Sequence, residues 1–138
     1  EKAFRKIAPH PSTVGLSINR KMHGLLSEIF VLNGSLGRVL LTIGHELGHV
    51  LSLPLEKMHD EEAKAYAFSL AWMNCIKEHN IAGLQNAIVS EHPAENGLHN
   101  VAFAFVQQLL QEEKTAEEVH SALVRGELSV AAPSFLGE

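Results

Sequence analysis

The sequence predicts an α+β fold: a small sheet at the front of the chain, then helices. Apolar residues alternate in two short runs before residue 34, and helical periodicity with helix punctuation fills most of the remaining chain. Of the 138 residues, 46% are hydrophobic and 20% charged, enough apolar material for one core. A chain of that length is expected to form one domain over 1–138.

Pro9, His10 and Pro11 mark residues 1–11 as irregular. Val14, Leu16 and Ile18 alternate with small or polar residues, giving a strand over 13–19. The run Glu28-Ile29-Phe30-Val31-Leu32, closed by Asn33-Gly34, gives a second over 27–33. Ser35 is placed to cap a helix reaching about residue 52, which Pro54 ends. Asp60 can cap or open the next, over about residues 61–78. From Ala65 to Met73 that helix is apolar nearly all round, so it should run through the middle of the domain. A short helix over about 82–89 and a longer one over about 94–113 come next, with Val101, Phe105 and Leu109 at amphipathic spacing and Phe103 and Phe105 in the core. Thr115 and Glu118 have the spacing of a capping box for a last helix to about Arg125, stopped by Gly126. The tail from about residue 129 reads as extended and flexible.

Eleven basic residues against 16 acidic ones give a net charge of −5, and no Lys/Arg cluster offers a footprint for nucleic acid. No run of about 18 apolar residues exists to span a membrane. The chain begins at Glu1 rather than Met, so the lack of a leader segment carries no weight. Cys75 is the only cysteine, so the fold does not depend on an internal disulfide. Its neighbours Ala71, Trp72, Met73 and Ile76 suggest a buried structural thiol.

Nine histidines are many for this length. Two of them, His45 and His49, stand four apart on the predicted third element, so their rings share one helix face. That spacing lets two ring nitrogens reach one Zn²⁺, while Glu46 sits beside the ion, where it can take a proton from water. Chance alone would produce His-Glu-x-x-His roughly 0.06 times in a chain of this composition. Gly44, Gly48 and Ser52 form a small-residue stripe beside the ligand face. Each glycine costs about 1 kcal/mol against alanine in a helix. Close approach of the Ala-rich helix beyond Asp60 is the simplest compensation.

The segment His45-Glu46-Leu47-Gly48-His49-Val50-Leu51, with Glu62-Ala63-Lys64-Ala65-Tyr66-Ala67-Phe68-Ser69 after it, resembles the gluzincin peptidases. In that group an active-site helix is followed by a glutamate helix with a pattern close to Glu-x-x-Ala-Asn/Asp-x-Phe-Ala. Within it the chain is most similar to the ImmA/IrrE-type family of small cytoplasmic metallopeptidases, with the wider M48-like peptidases next. The resemblance covers about a third of the chain, over 27–73; Tyr66 stands where that family has Asn or Asp, and the interval from His49 to Glu62 is short for it.

The resemblance implies a zincin-like fold, a cytoplasmic setting, Zn²⁺ as cofactor and a peptide or protein as substrate. It makes His45 and His49 ligands, Glu46 the general base and Glu62 the third ligand. His59, Asp60 and Glu61 stay open as alternatives for that third place. Met58-His59-Asp60 is similar to the third-histidine segments of other zincins, but lies ten residues beyond His49 where those lie six. The three acidic residues also suit an ordinary helix start. Tyr66, one turn past Glu62, is either an oxyanion donor or a buried structural tyrosine. His92 and His99 flank a Pro/Gly/Asn loop that can lie over the cleft, and 29–32 is the candidate edge strand for an extended substrate. Two other functions fit the same residues: a regulatory protease cleaving one partner protein, and a non-catalytic module in which the metal is structural.

Overall fold

The chain runs through α1 (Lys2–Ile7), β1 (Gly15–Ile18), β2 (Glu28–Val31), α2 (Leu36–Val50), α3 (Met58–Glu78), α4 (His99–Gln111) and α5 (Ala116–Val124). This is the predicted α+β arrangement. A computed structural model of the chain describes residues 1–87 and 89–130. The two strands pair antiparallel, Leu16 opposite Phe30 and Ser17 opposite Ile29. They lie against α2, which in turn packs along α3; α4 and α5 cover the other side of α3.

The α2–α3 contact is set by the glycines. A Cβ on Gly48 would stand 2.7 Å from Ala65 Cα and 3.0 Å from the Ala65 carbonyl oxygen, so the two backbones meet there without side chains between them. One turn back, Gly44 faces the Trp72 indole, whose Nε1 donates to the Leu40 carbonyl at 2.9 Å. Gly44 and Gly48 of the small-residue stripe therefore form a helix contact, as expected, whereas Ser52 lies beyond the end of α2. On its far side α3 contributes Ala63, Tyr66 and Ala67 to a core shared with Val106, Leu109, Val119 and Leu123. That places α3 in the middle of the domain, and its first half is buried nearly all round.

The C-terminal end of α2 is satisfied from outside the helix. Asn19 Nδ2 donates to the carbonyls of His49 (2.7 Å) and Ser52 (2.8 Å), and Lys21 Nζ to that of Leu51 (2.9 Å). Helix-terminal carbonyls lack an internal partner, so these bonds both cap α2 and moor the sheet to it. At the other end Ser35 holds the N-cap position without a side-chain capping bond. The Thr115–Glu118 capping box of α5 is present in full.

Several expectations need correction. Residues 2–7 form α1 rather than an irregular segment; the two prolines lie beyond its end, and Phe4 is its one buried residue. Helix α3 starts at Met58 with Lys57 as N-cap, so Asp60 belongs to its first turn and does not cap it. The helix expected over 82–89 is only a 3₁₀ turn at Ile81–Gly83, broken by positive φ at Asn80, Ala82 and Gly83; Ile88 lies outside the described residues. Helix α4 starts at His99, because Asn96 Oδ1 takes the amides of Leu98 and His99 and Gly97 has a positive φ of 77°. Cys75 is exposed, on the face of α3 turned from the core. Ser129 and Val130 do not fray: both donate to the Asp60 carboxylate, the Val130 amide at 2.6 Å. The rest of the predicted tail lies outside the described residues. Among the described residues no helix is long and apolar enough to cross a membrane.

Candidate metal centre

Helix periodicity puts His45 and His49 on the face of α2 that meets the start of α3, and Glu62 on the facing side of α3. Their donor atoms converge: His45 Nε2 is 3.4 Å from Glu62 Oε2 and His49 Nε2 is 3.6 Å from Glu62 Oε1. One ligand atom from each residue lies within 4.8 Å of the other two. Donors held about 2.0–2.1 Å from one tetrahedral ion stand roughly 3.4 Å apart, so this spacing suits a zinc-sized cation. Glu62 Oε2 is also buried without a hydrogen-bond partner. A buried polar atom left unpaired is costly, and an ion between the three residues would supply what it lacks.

The electrostatics run the same way. Burial lowers the proton affinity of His45, but the Glu62 carboxylate, with Glu91 and Glu46, outweighs this and holds its pKa above the usual imidazole value. Burial raises the pKa of Glu62, and His45, His49 and His99 together pull it below the usual carboxylate range. Two imidazoles and one carboxylate turned toward a common point form a donor set for a borderline cation.

The other candidates for the third place point elsewhere. His59 Nε2 donates to the Gly97 carbonyl at 2.8 Å. Asp60 is occupied by Ser129 and Val130. Glu61 meets the back of His49, its Oε1 accepting from Nδ1 at 2.9 Å. The same carboxylate accepts from the Leu55 amide (2.7 Å) and from Lys64 Nζ (2.9 Å). Burial raises the Glu61 pKa, and these three donors more than reverse that.

Glu46 is 7% exposed and lies against the Gly15 backbone, where a Cβ would collide with its Oε1 and with Thr42. It faces a cleft of about 620 Å³ bounded by His45, Tyr66 and Thr13–Gly15 on one side and residues 91–96 with His99 on the other. Tyr66 is 5% exposed, its ring 4.6 Å from that of His45 and 5.2 Å from that of Phe103. Tyr66 is therefore a core ring that also has a place on the cleft wall. Burial, with Glu91 and Glu62 nearby, pushes its hydroxyl far above the usual tyrosine range, so it stays protonated. His92 and His99 both border the cleft, and His99 Nε2 is 3.5 Å from Glu62 Oε2. The strand beside the cleft is β1, not the 29–32 segment expected; β2 pairs with β1 and contributes nothing to the lining.

Three residues have roles at the site that the sequence pattern did not show: Glu61 as a partner of His49, Gly15 beneath Glu46, and Glu91. The Glu91 carboxyl accepts a very short hydrogen bond from Ser69 Oγ, and its other oxygen is buried without a partner. Burial pushes its pKa up, against Ser69, His45 and Arg38. Only Glu61 left a trace, as one of three consecutive acids. Comparison with protein-family models, with curated proteins and with solved structures finds no match.

Proposed function

We propose that this chain is a zinc-dependent peptidase of the gluzincin kind, acting on a peptide or protein substrate, with His45, His49 and Glu62 holding the metal. One observation carries the reading: the three donors converge in an open hollow that also takes in Glu46 and shares His45, Glu46 and His99 with the cleft. A structural zinc takes four protein donors in a closed site, whereas a catalytic one takes three and keeps a position open to solvent or substrate. Three donors lining an open hollow support the catalytic alternative. The cytoplasmic setting and the kinship with ImmA/IrrE-type peptidases belong to the same proposal and rest on the resemblance of 45–51 and 62–69.

Bound zinc would supply Lewis acidity, lowering the pKa of water and polarising a carbonyl. The chain's own residues do the rest. Glu46 accepts the proton that water loses as it attacks the scissile carbonyl and passes it to the departing amine. Gly15 keeps that carboxylate in place by leaving room for it. Tyr66, neutral across the physiological range, donates a hydrogen bond to the carbonyl oxygen as negative charge builds there. The outer edge of β1 offers backbone groups to an extended substrate regardless of its side chains.

The test pairs metal content with turnover. Wild-type protein should bind about one zinc per chain, and His45→Ala, His49→Ala or Glu62→Ala should lose it. Glu46→Gln should keep the zinc while hydrolysis of a peptide mixture falls by a factor of about 10² or more. Full zinc occupancy in either histidine variant would remove the centre. Undiminished hydrolysis by Glu46→Gln would remove Glu46 from the chemistry.

A further inference from the structure

Among the described residues, Lys64 is the largest side chain that the domain buries completely. Its Nζ reaches Glu61 Oε2 at 2.9 Å and lies 3.4 Å from the Leu53 carbonyl. Taking an ammonium and a carboxylate out of water is expensive, and apolar residues of the same volume often pack at least as stably. Stability is thus a poor account of the pair. Its geometry suggests a better one. Lys64 and the Leu55 amide both donate to Oε2, which fixes the carboxylate plane and leaves Oε1 for His49 Nδ1.

An imidazole held this way must carry its proton on Nδ1, so the lone pair is on Nε2, the atom that faces Glu62 Oε1. Free of that contact, the ring can take the other tautomer or turn about its last bond, and either removes a donor from the cluster. We infer that Glu61 is the positioning residue of the candidate metal centre, and that buried Lys64 serves to hold Glu61 in its orientation. The inference rests on the proposed metal site and adds to it the device that presets one ligand before metal arrives. A carboxylate behind a ligating histidine fixes its tautomer and raises its basicity, and losing one weakens metal binding about 10–100-fold.

The competing role for Glu61 is a tie on the α2–α3 loop through Leu55, and a double variant separates the two. Glu61→Leu/Lys64→Met removes the whole ion pair and keeps the volume, so its melting temperature should stay within about ten degrees of wild type. If Glu61 positions His49, this folded variant should still bind zinc about 10–100-fold more weakly, by competition with a chelator of known affinity. In the metal-free protein, ¹⁵N NMR should show the neutral form of His49 as one tautomer in wild type and as a mixture in the double variant. Glu61→Gln is the second variant. With its carbonyl kept by the Leu55 N–H and Lys64, its NH₂ faces His49 Nδ1 and favours the Nε2–H tautomer, so zinc affinity should fall and the Nδ1–H form should be lost.

Zinc affinity and the Nδ1–H tautomer retained in both variants would overturn the inference and leave Glu61 a loop tie. A wild type that binds no zinc would instead sink the metal reading, and the tautomer measurement would still decide the role of Glu61. Should the double variant fail to fold, Glu61→Gln decides alone.

Discussion

Gly48→Ala tests the backbone contact on which the site depends. Alanine is the better helix former by about 1 kcal/mol, so on propensity alone the substitution should stabilise α2. The added methyl would lie 2.7 Å from Ala65 Cα, 3.0 Å from the Ala65 carbonyl oxygen and 3.1 Å from Phe68 Cβ. Ordinary contact begins near 3.4 Å, and the nearest atoms are backbone, so relief requires α2 and α3 to move apart by several tenths of an ångström. Overpacking of this kind costs about 1–3 kcal/mol, with the upper end fitting a clash against main chain. Net of the propensity gain, the expected loss is about 1–2 kcal/mol, or roughly 3–8 °C in melting temperature for a domain of this size. His49 is the next residue and Glu62 faces it across the gap, so zinc affinity should fall as well. Urea unfolding and chelator competition on the same preparation read both effects. Gly37→Ala is the control: its methyl would meet only the Val89 side chain and no backbone, so the propensity gain should leave stability unchanged or raised by up to about 1 kcal/mol, with zinc affinity intact. A Gly48→Ala protein more stable than wild type, with unchanged zinc affinity, would refute the close approach of the helices.

Gly15→Ala should strike the proposed base rather than the metal. A Cβ there collides with Glu46 Oε1 and stands 2.6 Å from Thr42 Cγ2, so Glu46 must shift. Displacing a catalytic group by about 1 Å can cost on the order of 10²-fold in rate, whereas zinc content should hold; equal activity in the two proteins would contradict this. His120 should make stability pH-dependent. Burial, and secondarily the Lys64 charge, holds its pKa below the ordinary imidazole value. The unfolded chain, titrating near pH ~6.5, therefore takes up a proton that the folded one refuses, and the stability present above that pH is lost as the pH falls toward the folded pKa. The difference in urea midpoint between wild type and His120→Gln, tracked from neutral pH down to about pH 5, should change in that direction; a constant difference would exclude it.

What could be read from the sequence and what could not divide along the range of the interactions. Helix α2, both strands and the α5 capping box depend on neighbours a few residues apart, and each was legible to within a few residues. The spacing of His45, Glu46 and His49 is equally local. Glu62 needed the resemblance, because nothing in a run of three acids says which one faces α2. Glu61, Gly15 and Glu91 matter through contacts that exist only once α3, β1 and the 91–96 segment have come against α2. The start of α4 was misplaced because Asn96 and Gly97, rather than apolar spacing, determine it. Cys75 has apolar sequence neighbours but sits on the exposed turn between them, which periodicity should have shown.

All three candidate donors and the proposed base come from one helical hairpin, between His45 and Glu62. Contacts this close in sequence need little loop closure and can form before the distant parts of a chain find their places. Metal present during folding would therefore meet an assembled binding unit as soon as α2 and α3 pair. It would then act as a clasp on that hairpin, giving α4 and α5 a surface on which to condense. The order of folding would then respond to the availability of the ion, because without it the paired hairpin would lack that clasp.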